Sequence, residues 1–190
     1  MRTLILFVLF ATNVLETFAR QNTFDIVTYN PPKNWSVKQN NSSIAYVRVD
    51  GKNWAQIGIY KHQNSKGDVK SDFDKDWEEL VSTGRNISSA QKTEPKFEHG
   101  WFVMSGSGNW QYDGVNVASI LTVYSNEKIS VAILCNATAL PYFKEYQTLI
   151  NTLNITDGSN ISASKKTSEN ADLDVKENEN SIIVCGQITA

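Results

Sequence analysis

Cysteine, histidine and proline are scarce in this chain, and the first two scarcities each remove a class of protein. Two cysteines in 190 residues cannot supply the bridges of a disulfide-framework domain. With only two histidines beside them, they leave little for a zinc site or a histidine-centred triad. An excess of one charge is also missing. Eighteen Lys+Arg against 20 Asp+Glu give a net charge of -2, so the basic face that a phosphate-neutralising nucleic-acid binder needs is not available. Long apolar runs are lacking too. The run Leu4 to Ala11 makes about 12 Å of helix against a hydrocarbon core of about 30 Å, so no membrane span is expected.

What the chain does have is core-forming material. It is 41% hydrophobic and 11% aromatic, which excludes a wholly disordered chain. The N-terminus has the three-part layout of a secretory signal peptide: Arg2, the apolar run, and Thr17-Phe18-Ala19 with small residues flanking a cleavage position. The expectation is a signal peptide over 1–19, cleaved after Ala19, and a secreted or periplasmic mature protein. Aromatic residues are absent from 159–190, where Ser, Asn, Lys and Glu dominate as far as Ser181. Such a composition buries too little to offset ordering entropy. The chain therefore reads as a single α+β domain at 22–157, followed over 158–190 by a disordered polar linker. That linker ends in the short apolar run Ser181 to Cys185, read as the stub of a further module, with pairing onto the domain as the alternative.

Two helices are predicted. From Asp72 to Thr83, Phe73, Trp77, Leu80 and Val81 make one apolar stripe, with Ser71 and Asp74 as a capping box and Gly84 as the stop. From about Pro141 to Leu153, Leu140, Phe143, Tyr146, Ile150 and Leu153 share a face. Strands are predicted at Phe24–Tyr29, Trp35–Lys38, Ile44–Val49, Ala55–Tyr60, Phe97–Tyr112, Val115–Ser125 and Ile129–Asn136. Asp113-Gly114 suits a two-residue type I′ turn that sets Tyr112 opposite Val115 and Trp110 opposite Val117. Both faces of these last strands are apolar, whereas an antiparallel sheet with one wet face alternates. The fold class expected is a central antiparallel sheet with helices covering both faces.

The segment Tyr29-Asn-Pro-Pro-Lys-Asn-Trp35 and the later order of strands, Phe/Trp helix, meander and C-terminal helix resemble PsbP-like and DcrB-like domains. The resemblance covers about residues 24–155. It implies an α/β/α sandwich and generally non-catalytic duty, while the Asn-rich composition and the signal peptide point to an exported bacterial member. It carries over no functional residue.

The apparent chemical motifs have structural readings. Gly106-Ser-Gly108 sits inside a strand, where glycines permit a bulge or close approach under a helix, rather than between strand and helix as a phosphate cradle requires. His62, Glu98 and His99 lack ligand spacing for a metal, and Ser105, Ser107 and Ser119 lack a nucleophile elbow. Asp72, Asp74, Asp76, Glu78 and Glu79 read as partners of the helix dipole, not a calcium loop. Cys135 reads as a buried small hydrophobe, with a Cys135–Cys185 bridge as the alternative. Seven glycosylation sequons occur, at Asn34, Asn40, Asn41, Asn86, Asn136, Asn154 and Asn160. Of the five tryptophans, Trp77 and Trp110 are assigned to the core, and Trp54 is the candidate binding residue expected to be partly exposed.

No catalytic residue, metal or cofactor is expected. The functional expectation is a non-enzymatic binding or accessory domain whose partner is an unknown protein or small molecule. A secreted hydrolase and the N-terminal half of a truncated two-domain protein are the alternatives.

Overall fold

Tight turns with left-handed residues organise the fold. The computed structural model describes residues 21–156. The expected leader, the polar tail, Cys185 and the sequon at Asn160 lie outside the described residues.

The strands are β1 (Asn22–Phe24), β2 (Val27–Tyr29), β3 (Ser36–Gln39), β4 (Ser43–Asp50), β5 (Asn53–Tyr60), β6 (Gln63–Asn64), β7 (Ser88–Lys92), β8 (Lys96–Glu98), β9 (Trp101–Tyr112), β10 (Val115–Ser125), β11 (Ile129–Ala137) and β12 (Asn154–Ile155). The helices are α1 (Val69–Trp77), which continues as a π-helical turn over Glu78–Ser82, and α2 (Leu140–Ile150). The main antiparallel sheet runs β3-β4-β5-β11-β10-β9-β7, with β6 beside β11 and β8 beside β9. A second, small sheet runs β1-β2-β12.

The β9–β10 hairpin has Val115 opposite Tyr112 and Val117 opposite Trp110. Asp113 and Gly114 both take positive φ, 47° and 76°, as a type I′ turn requires. The same device recurs at His99 and Gly100, φ 50° and 87°. There it divides the single strand expected over Phe97–Tyr112 into β8 and β9. Asp25 at φ 54° similarly breaks the expected Phe24–Tyr29 strand into the β1–β2 hairpin.

The core has two parts, one on each face of the main sheet. On the first, Phe73, Trp77 and Val81 meet Met104, Leu121, Val123 and Leu134. Gly106 and Gly108 lie beneath this helix: a Cβ at Gly106 would stand 2.5 Å from Phe73 Cζ. On the second face, Tyr142, Tyr146 and Leu149 of α2 meet Ile57, Ile59, Ile133 and Cys135, joined by Ile26, Val27 and Tyr29 from the small-sheet segment. Trp35 joins the same core and donates Nε1–H to Glu145 Oε2 at 2.8 Å.

The expected fold class is corrected by this arrangement. The described residues are 51% strand and 18% helix, and the molecule is not a PsbP-like α/β/α sandwich with helical layers. Geometry gives the reason. Helical segments of 14 residues (α1's nine and the five of its π-helical turn) and 11 residues reach about 17–21 Å, whereas seven strands at about 4.8 Å spacing extend about 29 Å. Each helix therefore covers only part of a face, and the small sheet shares one face with α2. Apolarity on both faces, the basis of the expectation, belongs to the inner strands, while β3 and β7 at the edges are exposed throughout.

The first helix also differs from its predicted form. Asp68 caps it, accepting from Ser71 N–H at 2.9 Å, so it begins before Asp72. Asp72 and Asp76 are buried rather than paired with the dipole at the surface.

Candidate functional site

A broad concavity lies on the α2 face, where α2 stops short of covering β8, β9 and β10. It is a cleft of ≈ 940 Å³. Its floor follows from strand register. Lys96 pairs with Val103 and Glu98 with Trp101 across β8 and β9. Thr122 pairs with Ser105, and Tyr124 with Val103, across β9 and β10. Because side chains alternate along a strand, Ser105 and Val103 from β9 and Ile120, Thr122 and Tyr124 from β10 share the cleft floor. One wall is α2, through Phe143, Tyr146, Gln147, Ile150 and Asn151; the segment Leu153–Ile155 closes that side.

Neutral hydroxyls line the floor. Ser105 Oγ is 2.9 Å from Thr122 Oγ1. The Tyr146 phenol, buried under α2, reaches Thr122 Oγ1 at 2.9 Å and the Ile133 carbonyl oxygen at 3.3 Å. A phenol has one proton, so the chain can run either way. When Tyr146 donates to Ile133, Thr122 and Ser105 turn their protons inward along the chain. When it donates to Thr122, the Ser105 proton is released toward the cleft. Burial holds the Tyr146 phenol far above its ordinary pKa. Burial, with the Glu98 carboxylate adding to it, pushes Tyr124 up to about 12. Both phenols therefore stay protonated at neutral pH. The Tyr124 hydroxyl has no hydrogen-bond partner among the described residues. On the wall, Gln147 Nε2–H donates to Asn151 Oδ1 at 2.8 Å. That bond leaves the Gln147 carbonyl oxygen and the Asn151 amide nitrogen without a hydrogen-bond partner among the described residues.

Charge is confined to the mouth, where Lys96, Glu98 and His99 are exposed. None has an ion-pair or hydrogen-bonding side-chain partner among the described residues.

The structure separates the residues that the sequence singled out. Trp54 is half-buried on the α1 face, edge-on to Tyr112 at 6.1 Å between centroids, so it does not line the cleft. His99 and Glu98 do line it, held there by the type I′ turn. His62 is elsewhere: its backbone N–H and its Nδ1 contact Asp25 Oδ2 at 2.9 and 2.6 Å. Ser105 reaches the cleft, whereas Ser119 is buried and bonded to Asn136 and Trp110. Cys135 is buried in the core. The sequon at Asn136 is 1% exposed. Among the described residues, no three of His, Cys, Asp and Glu come together as a metal site, and no helix is long and apolar enough to cross a membrane. The cleft residues Thr122, Tyr124, Gln147 and Asn151 were not singled out from sequence as a site, although the alternation of β10 carried the signal for Thr122 and Tyr124.

No family profile matches the chain. No curated protein matches it either. Among solved structures it is similar to a protein from Bacteroides thetaiotaomicron, with TM-score 0.48 and 14% identity over 70% of this chain and 46% of that one. It is also similar to a protein of unknown function from Pseudomonas aeruginosa, with TM-score 0.39 and 16% identity over 68% of this chain and 93% of that one. The chain thus spans about half the length of the Bacteroides protein.

Proposed function

We propose that this chain is an exported, non-enzymatic binding module, and that the cleft between α2 and the β8–β10 floor is its ligand site. The observation that carries the proposal is the cleft itself. Its ≈ 940 Å³ falls within the range of small-molecule sites, about 300–1,000 Å³, and its interior mixes apolar side chains with a few fixed hydroxyls.

The arrangement of reactive groups favours binding over turnover. Hydrolysis by a serine needs a base within hydrogen-bond reach of the hydroxyl. Ser105 instead contacts Thr122, and His99 sits at the mouth without a carboxylate to orient it. Export is part of the same proposal and rests on the leader-like layout of residues 1–19.

Titration of a small-molecule library into isotope-labelled protein tests the site. Resonances of Val103, Ser105, Thr122 and Tyr124 should shift together, and Asn151→Trp, which fills the cleft from its wall, should abolish the shifts. Library esters turned over by the protein, with activity lost in His99→Ala, would refute the non-enzymatic reading.

A further inference from the structure

The chemistry of the lining narrows the ligand class, given that the cleft is the binding site. A wholly apolar ligand would strip water from the Ser105 and Tyr124 hydroxyls and replace it with nothing, an unfavourable exchange for any polar group. A charged ligand would give up its hydration to neutral partners, because the interior offers hydroxyls and carboxamides only. Lys96, Glu98 and His99 at the mouth are all solvated, and the lysine and the carboxylate have opposite signs, so the mouth favours neither an anion nor a cation.

A third class satisfies both halves of the lining. The Gln147–Asn151 bond leaves one carbonyl acceptor and one amide donor unused at the C-terminal end of α2, on two side chains that their i, i+4 relation brings to the same side of the helix. Such a pair matches two neighbouring hydroxyl groups, one donating and one accepting. Across the cleft, the Tyr124 hydroxyl is unpartnered and Ser105 can present either a proton or a lone pair. Between these polar points, Phe143, Ile150 and the ring of Tyr124 supply apolar surface for the C–H face of a sugar ring.

We propose that the ligand is a neutral carbohydrate, bound with a vicinal diol on Gln147 and Asn151 and a further hydroxyl on Tyr124 or Ser105. This rests on the cleft being the ligand site.

The test is calorimetric titration of the full chain with neutral oligosaccharides of glucose, xylose, mannose, galactose and N-acetylglucosamine. At least one should bind saturably, with affinity little changed by added salt. Gln147→Ala and Tyr124→Phe should each weaken it by tenfold or more while the melting temperature holds, and Asn151→Trp should abolish it. Failure of every neutral sugar to bind overturns the proposal, as does sugar binding that survives all three substitutions. A parallel titration with an apolar fluorescent dye and with free amino acids separates the two levels. Binding of those probes that Asn151→Trp abolishes, without sugar binding, overturns the carbohydrate assignment and leaves the cleft as a site. No cleft-dependent binding of any probe overturns both.

Discussion

Replacing Gly106 by alanine would put a methyl group under α1 where no room exists. The new Cβ would stand 2.5 Å from Phe73 Cζ and 3.1 Å from both Trp77 Cζ3 and the Gln91 carbonyl oxygen. Carbon atoms rest about 3.5–4.0 Å apart, so the Phe73 ring must retreat by about 1 Å. It has nowhere to go: Phe73 is fully buried and stacked on Trp77 with centroids 5.6 Å apart. Overpacking of this kind costs about 1–3 kcal/mol. Restricting the unfolded chain returns about 0.4–1 kcal/mol, and Gly106 does not have a positive φ that alanine would strain. The net loss should be about 1–2 kcal/mol, a fall of several degrees in Tm. Gly108→Ala should cost less, because its nearest obstruction is the Ile87 Cγ2 methyl at 2.6 Å, at the end of a half-buried side chain that can turn away. Phe73→Leu should recover part of the loss in the double variant, which a mutant cycle would register as coupling. Urea and thermal denaturation of the parent and the four variants decide the matter. Gly106→Ala as stable as the parent, or Gly108→Ala the worse of the two, would refute the reasoning.

Asp72→Ala should lose about 3 kcal/mol or more in urea denaturation, since this buried carboxylate accepts from Ser65 Oγ, Lys66 N and Ser125 Oγ at 2.6–2.7 Å; Asp74→Ala, which removes only an exposed pair with Lys92, should stay within about 0.5 kcal/mol. At Asp25, burial raises the carboxyl pKa, but the hydrogen bonds and charge of His62 outweigh it and leave the value below 3.8. This stabilisation is present above the unfolded pKa and is lost as pH falls through the folded one. Asp25→Asn, which also tolerates the positive φ, should therefore destabilise at pH 7 and cost progressively less below about pH 4; a pH-independent difference would count against it. Asp76 has the opposite sign, because burial, only partly offset by Lys75, raises its pKa above 3.8. Its ionisation costs stability as pH climbs from the unfolded value through the folded one, so Asp76→Asn should raise Tm at pH 7 relative to its effect at pH 3.

Local chemistry was legible in the sequence, and extent was not. Asp113-Gly114 announced a turn because only residues tolerant of positive φ can close a two-residue hairpin, and the register of Trp110 and Val117 followed from it. Gly106 and Gly108 likewise pointed to a helix pressed against a strand. His99-Gly100 makes the same turn, but the apolar residues on either side hid it inside one long run. The fold class failed for a related reason: periodicity tells that a face is covered without telling whether a helix or a second sheet covers it. Phe24, Ile26, Val27 and Tyr29 supply cover on the α2 face from a hairpin that the sequence presented as one strand. The cleft was invisible for the same cause, since it exists only where α2 ends before the floor does.

The position of β11 between β5 and β10 has a kinetic consequence. Its pairing with β10 closes a short local loop, whereas its pairing with β5 joins Ile57 to Cys135 across all of α1 and the intervening strands. Loop-closure entropy must be met before that seam rewards the chain. The β9–β10–β11 meander can therefore assemble early, with the β3–β4–β5 ribbon docking onto it in the slow step. Loosening Ile57 should slow refolding in proportion to the stability lost if that seam is made in the transition state, and should instead speed unfolding if docking follows it.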